Sequence, residues 1–165
     1  MKTLALLVAV LFAGLHASTG GQTQSTAPSP KPATSTGPAV NSAERFTEAP
    51  GALRDATTGL LWTQADSGAD TNWNEARDYC KRKRGGWRLP SADELQALFD
   101  ATQSVPCGRW TCRASPQFRL SGPWFWSSER SGSSEAAFVY MTTGNRNTLH
   151  TANRYGVQAL CVRRG

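Results

Sequence analysis

The sequence predicts an α+β domain: two helices packed on a small antiparallel sheet, with a long loop region. Three observations carry this. Two short apolar segments flank the turn Ala56-Thr57-Thr58-Gly59, two successive helix starts have capping-box spacing, and four strand-like segments close the chain. Strands, helices and strands in separate runs, rather than in alternation, are the order of an α+β fold.

Residues 1–17 read as a secretory signal peptide. Lys2 supplies a positive charge, Leu4–Leu15 form an apolar run of 12 residues, and the small residue Ala17 precedes the expected cleavage. A membrane helix needs roughly 20 apolar residues, so no span is expected once the leader is removed, a retained N-terminal anchor being the competing reading. Residues 18–50 are rich in Ser, Thr, Pro, Gly and Gln and poor in large apolar groups. Such a segment cannot offset its ordering entropy by burial and reads as a flexible linker. Residues 51–165 then form the domain, a normal size for one core.

Within it, Ala52–Asp55 and Leu60–Thr63 are expected to pair across the turn. Asn72 with Glu75 opens a helix that runs to about Arg84, with Trp73, Ala76, Tyr79 and Cys80 on its core face and Gly85-Gly86 ending it. Pro90 forces Leu89 into an extended conformation. Ser91 with Glu94 then opens a second helix carrying the stripe Leu95, Leu98 and Phe99. From Ala101 to Pro123 the chain is polar and broken by prolines, an elaborated loop closed on itself by Cys107 and Cys112. Strands are expected at Trp124–Ser128, Ala136–Thr142, Arg146–His150 and Gly156–Arg163, with Thr143-Gly144-Asn145 as a tight turn. The last is apolar on both faces (Val157, Ala159 and Cys161; Leu160 and Val162), which predicts a central strand.

Asp55, Thr58-Gly59-Leu60-Leu61-Trp62, Trp73 with Ala76, Tyr79-Cys80, Trp87-Arg88-Leu89-Pro90, Glu94-Leu95, Trp126-Ser127-Ser128 and Cys161-Val162-Arg163 stand in the order of a known pattern. Over essentially all of residues 51–165 the chain resembles the bacterial Lcl C-terminal domain family. The resemblance implies a C-type lectin-like fold in which Cys80, on the first helix, is bonded to Cys161, on the final strand. It also implies a binding module, since the best-studied relatives bind sulfated glycosaminoglycans and act in adhesion.

Four cysteines admit three pairings, and export places them in an oxidising compartment. The pairing adopted is Cys80–Cys161, from the resemblance, with Cys107–Cys112 closing the loop. By loop entropy the long bridge contributes about 4 kcal/mol and the short one about 2 kcal/mol. A metal site is disfavoured: no Cys-x-x-Cys occurs, and only His150 lies beyond the expected leader.

In the tryptophan-bearing motif, Trp87 and Leu89 are expected in the core with Trp62 and Trp126. Arg88 is expected as a buried guanidinium paired with a nearby carboxylate or carbonyl, Glu94 being a candidate. Residues 51–165 carry 15 Lys/Arg against 10 Asp/Glu, a net charge of +5. The densest run is Lys81-Arg82-Lys83-Arg84, joined by Arg109, Trp110, Arg113 and Arg119 in the long loop. These are the candidate ligand-binding residues, because arginine forks suit sulfate and phosphate and a basic surface attracts polyanions. The plainer account of the run is a solvated helix end. Nucleic acid is disfavoured, since no basic–aromatic sheet motif is present and export removes the chain from cellular DNA. The Glu-Pro-Asn, Gln-Pro-Asp and Trp-Asn-Asp signatures of calcium-dependent lectins are absent. His150 stands without a nucleophile or phosphate-loop motif, so neither catalysis nor a cofactor is expected. The reading is an exported, periplasmic or cell-surface binding module for anionic polysaccharide. The rival is a protein-binding or assembly role in the bacterial envelope.

Overall fold

The computed structural model describes residues 45–165. The expected signal peptide and the linker residues up to 44 lie outside the described residues. A first antiparallel sheet has the order β1 (Phe46–Ala49), β2 (Ala52–Asp55), β3 (Leu60–Trp62), β10 (Val162–Arg164), with Phe46 opposite Asp55, Leu53 opposite Trp62, and Trp62 opposite Val162. The strand β1 corrects the linker boundary at residue 50. Phe46 is 3% exposed and meets Phe118 edge-on, and Arg45 forks onto buried Asp55. One aromatic and one paired arginine recruit a segment that composition alone reads as linker.

Helix α1 (Trp73–Arg82) and helix α2 (Ala92–Gln96) both open with complete capping boxes, from Asn72 with Glu75 and Ser91 with Glu94. Helix α1 ends two residues sooner than expected, where Arg84, Gly85 and Gly86 all take positive φ. Trp73, Ala76 and Cys80 are buried on its inner face, and Tyr79 is half-buried. Between the helices, Arg88 pairs through its own N–H and C=O with Val162, while Pro90 O accepts from Ser128 N. The motif thus links β10 to the strand carrying Ser128.

That strand, β6 (Trp124–Ser131), belongs to a second sheet with β7 (Glu135–Tyr140), β8 (Asn145–His150) and β9 (Val157–Gln158), in the order β8-β7-β6-β9. Its pairings are antiparallel except β6–β9, which is parallel. The single final strand expected from the sequence is therefore two strands, one in each sheet. Both faces of the segment are apolar because it crosses between the two sheets with alternate residues in different core clusters, Val157, Ala159 and Cys161 in one and Leu160 and Val162 in the other, not because it is central in one sheet. Cys161 sits in the crossing and exchanges bonds with Thr63. The long loop also holds more order than expected: β4 (Val105–Cys107) and β5 (Trp110–Cys112) form a hairpin closed by Cys107–Cys112. The other bridge, Cys80–Cys161, ties α1 to the crossing segment. The architecture is α+β, with two helices set against antiparallel sheets, the class that the sequence predicts.

Two motif side chains differ in environment from the expectation. Trp87 is half-buried, with the Arg163 guanidinium 5.2 Å over its ring. Arg88 is exposed rather than buried, yet its fork onto Glu94 is present at 2.7 and 2.8 Å. Its backbone bonds to β10 hold it at the surface, where water solvates the guanidinium more cheaply than a core would. Glu94 also accepts from Ser91 N at 2.7 Å. Substituting Glu94 by Ala should therefore lose a cap and an ion pair together, about 1–2 kcal/mol, seen as a lower urea midpoint. An unchanged midpoint would contradict this.

Candidate functional site

The closed hairpin, the turn into β6, the start of β9 and the approach to α1 converge on a cleft of about 210 Å³. Each wall has a local cause. Asp66, 6% exposed, accepts from Ser121 N at 2.6 Å, from Ser121 Oγ at 2.8 Å and from Gly68 N at 2.8 Å. This fixes the loop that leads into β6. Asp70, two residues before the cap Asn72, accepts from Gly156 N at 2.8 Å and from Gln158 Nε2 at 2.7 Å. It thereby ties the start of β9 to the start of α1.

Gln158 is 4% exposed, and its Oε1 has no donor. It packs on Gly122, where a Cβ would come within 2.3 Å of that oxygen, so only glycine leaves room for the carboxamide. The Trp124 ring packs in the same way on Gly156, whose φ of +80° also favours glycine. On the open side, Trp110 is 41% exposed, with the Arg109 guanidinium 5.4 Å over its ring. The cleft thus offers exposed indole surface, a cation and a carboxylate, with the buried Gln158 carboxamide behind them.

Of the candidate residues, the cleft gathers Arg109 and Trp110. Arg113 turns to Gln103 O at 3.4 Å, and the Arg119 backbone pairs with Gln64 and Asp66; neither lines this cleft. Lys81, Arg82, Lys83 and Arg84 are exposed at the end of α1, with Lys83 over the Tyr79 ring at 4.6 Å, and Lys81 lines a different cleft. The candidates therefore occupy several places. Asp70, Trp124 and Gln158 were missed by sequence reasoning. Asp70 acts across separations of 86 and 88 residues, which no local pattern reveals. Gln158 did leave a trace, as a polar residue inside the apolar run Val157–Val162. Among the described residues, no group of three or more His, Cys, Asp or Glu is placed to hold a metal.

The Lcl C-terminal domain model matches residues 51–163. No curated protein matches the chain. Among solved structures it is similar to the snake venom toxin convulxin at 11% identity and a TM-score of 0.42, over 73% of this chain and 96% of that one. It is also similar to a chain of the von Willebrand factor mutant A1 domain–botrocetin complex at 14% identity and a TM-score of 0.40, over 72% of this chain and 100% of that one.

Proposed function

The chain belongs to the Lcl C-terminal domain family, and from that premise we propose that it is an exported, non-catalytic module that binds anionic polysaccharide of the sulfated glycosaminoglycan kind, in the setting of bacterial adhesion. The observation that carries this reading is the cleft in which exposed Trp110, under Arg109, stands beside Asp70, Trp124 and Gln158. A sulfated sugar presents a C–H face, hydroxyls and an anionic group. The indole covers the first, the carboxylate accepts from the second, and the guanidinium fork meets the third. The net charge of +5 on residues 51–165 draws a polyanion toward the surface. Lys81–Arg84 then act as a diffuse electrostatic extension of the contact, with Arg113 and Arg119 adding to the same field.

Retention on heparin and titration with a heparin oligosaccharide test this. Trp110→Ala leaves the charge unchanged, so any effect comes from stacking rather than ion exchange. It should weaken binding by about 2 kcal/mol, roughly 30-fold. Alanine at all four of Lys81–Arg84 should lower the eluting salt concentration and flatten the salt dependence. Wild-type affinity in both Trp110→Ala and Arg109→Ala would remove the cleft from the reading.

A further inference from the structure

We propose that a second cleft, separate from the first, docks an acidic peptide segment of a partner protein by taking in one of its aromatic or aliphatic side chains. This cleft, of about 200 Å³, is lined by Trp73, Arg77, Lys81, Arg88, Leu89 and Ser128. Its lining is almost wholly apolar although half of these residues are basic. The aliphatic stems of Arg77, Lys81 and Arg88 supply apolar wall surface. The floor is Trp73, 6% exposed, and Leu89, 2% exposed.

The floor is rigid. Trp73 Nε1 donates to Ser127 O at 2.8 Å, and its ring lies under the guanidinium groups of Arg77 and Arg130 at 5.3 and 5.2 Å. A preformed apolar slot ringed by less critical polar groups is how interfaces seat an anchor side chain. Its volume suits one side chain. The rim sets what flanks that side chain. Arg77, Lys81, Arg88 and Arg130, with the neighbouring Arg82, Lys83 and Arg84, outnumber the paired carboxylates Asp78 and Glu94. Carboxylates on either side of the anchor answer that excess. A second copy of this chain brings the same net positive charge and is repelled.

The site is independent of the glycan cleft, and heteronuclear NMR on the protein can separate the two. The probe is the capped peptide Asp-Glu-Phe-Glu-Asp. At millimolar concentration it should shift the Trp73 indole N–H and the amides of Arg77 and Lys81 saturably, and leave the Trp110 indole unmoved. Serine in place of the central phenylalanine should weaken binding at least about tenfold, and so should lysines in place of the acidic flanks. Ser128→Leu, at an exposed position, fills the slot and should lose the peptide by a similar factor while keeping heparin-oligosaccharide affinity. Lys81→Glu should weaken the peptide as well and does not depend on slot shape. The proposal is overturned by equal binding of the serine and phenylalanine peptides, by no saturable shift, by shifts centred on Trp110, or by full affinity in both Ser128→Leu and Lys81→Glu.

Discussion

Replacing Cys80 and Cys161 together by alanine will lower the stability by about 4 kcal/mol, whereas the same change at Cys107 and Cys112 will cost about 2 kcal/mol. The bridges span 81 and 5 residues, and a longer closed loop removes more freedom from the unfolded chain. The long bridge is also fully buried beside Trp73, Ala76, Leu89 and Trp126. Its loss therefore adds unfilled volume to the entropic term. Alanine is the cleaner replacement, because a serine hydroxyl there would have to be buried without an assured partner. The melting temperature should fall by roughly 15 °C for the long bridge. Urea denaturation of both variants against the parent, at one pH and salt, gives the comparison. A loss below about 1 kcal/mol for the long bridge, or equal losses for the two, would refute the entropic account. Because the long bridge anchors the helix bearing Trp73 and Lys81, its removal should also blunt peptide docking more than glycan binding.

The elements with local signatures were legible in the sequence. Both capping boxes, the turn at Gly59, the turn at Gly144 and the paired strands β7 and β8 depend on residues within one or two turns of chain, and they stand where pattern and spacing put them. What failed to appear depends on contacts between distant segments. The strand β1 is held by Asp55 and Phe118, neither of which is visible from the composition of residues 18–50. The division of the last segment into β9 and β10 follows from two sheets competing for one apolar stretch, and a period-two reading cannot distinguish that from a central strand. The site shows the same split. Arg109 and Trp110, which line the cleft, stand out in the sequence because charge and an aromatic ring in a loop are conspicuous. Asp70 and Gln158 matter through one contact with each other, and chain position gives no hint of it.

The strand that composition missed carries the second large prediction. Asp55 is 1% exposed and accepts from Arg45 Nε and an Arg45 terminal nitrogen, from Thr57 N and from Thr58 Oγ1. Substitution of Asp55 by alanine strands those donors, at a cost of about 2–4 kcal/mol; Arg45, partly open to water, keeps the loss below that of a sealed pair. Phe46→Ala removes a buried ring packed 5.1 Å from Phe118 and should cost about 3–5 kcal/mol. Both act on β1, so the double variant should lose less than the sum. Acid sharpens the test. Burial raises the Asp55 carboxyl, but hydrogen bonds from Arg45, Thr58 and Thr57 outweigh it and hold the group below its ordinary 3.8. Glu94 lies below its ordinary 4.5 through its hydrogen bond from Arg88, against a smaller effect of burial. The unfolded chain thus binds more protons in this range. The stability these carboxylates confer is complete above their unfolded values and drains away as pH falls through the folded ones. The parent should accordingly be level near neutral pH and weaken below about pH 4.5. Asp55→Ala should start lower at pH 7 and decline less steeply in acid. Parallel curves for the two proteins would show that Asp55 does not hold β1 through its charge.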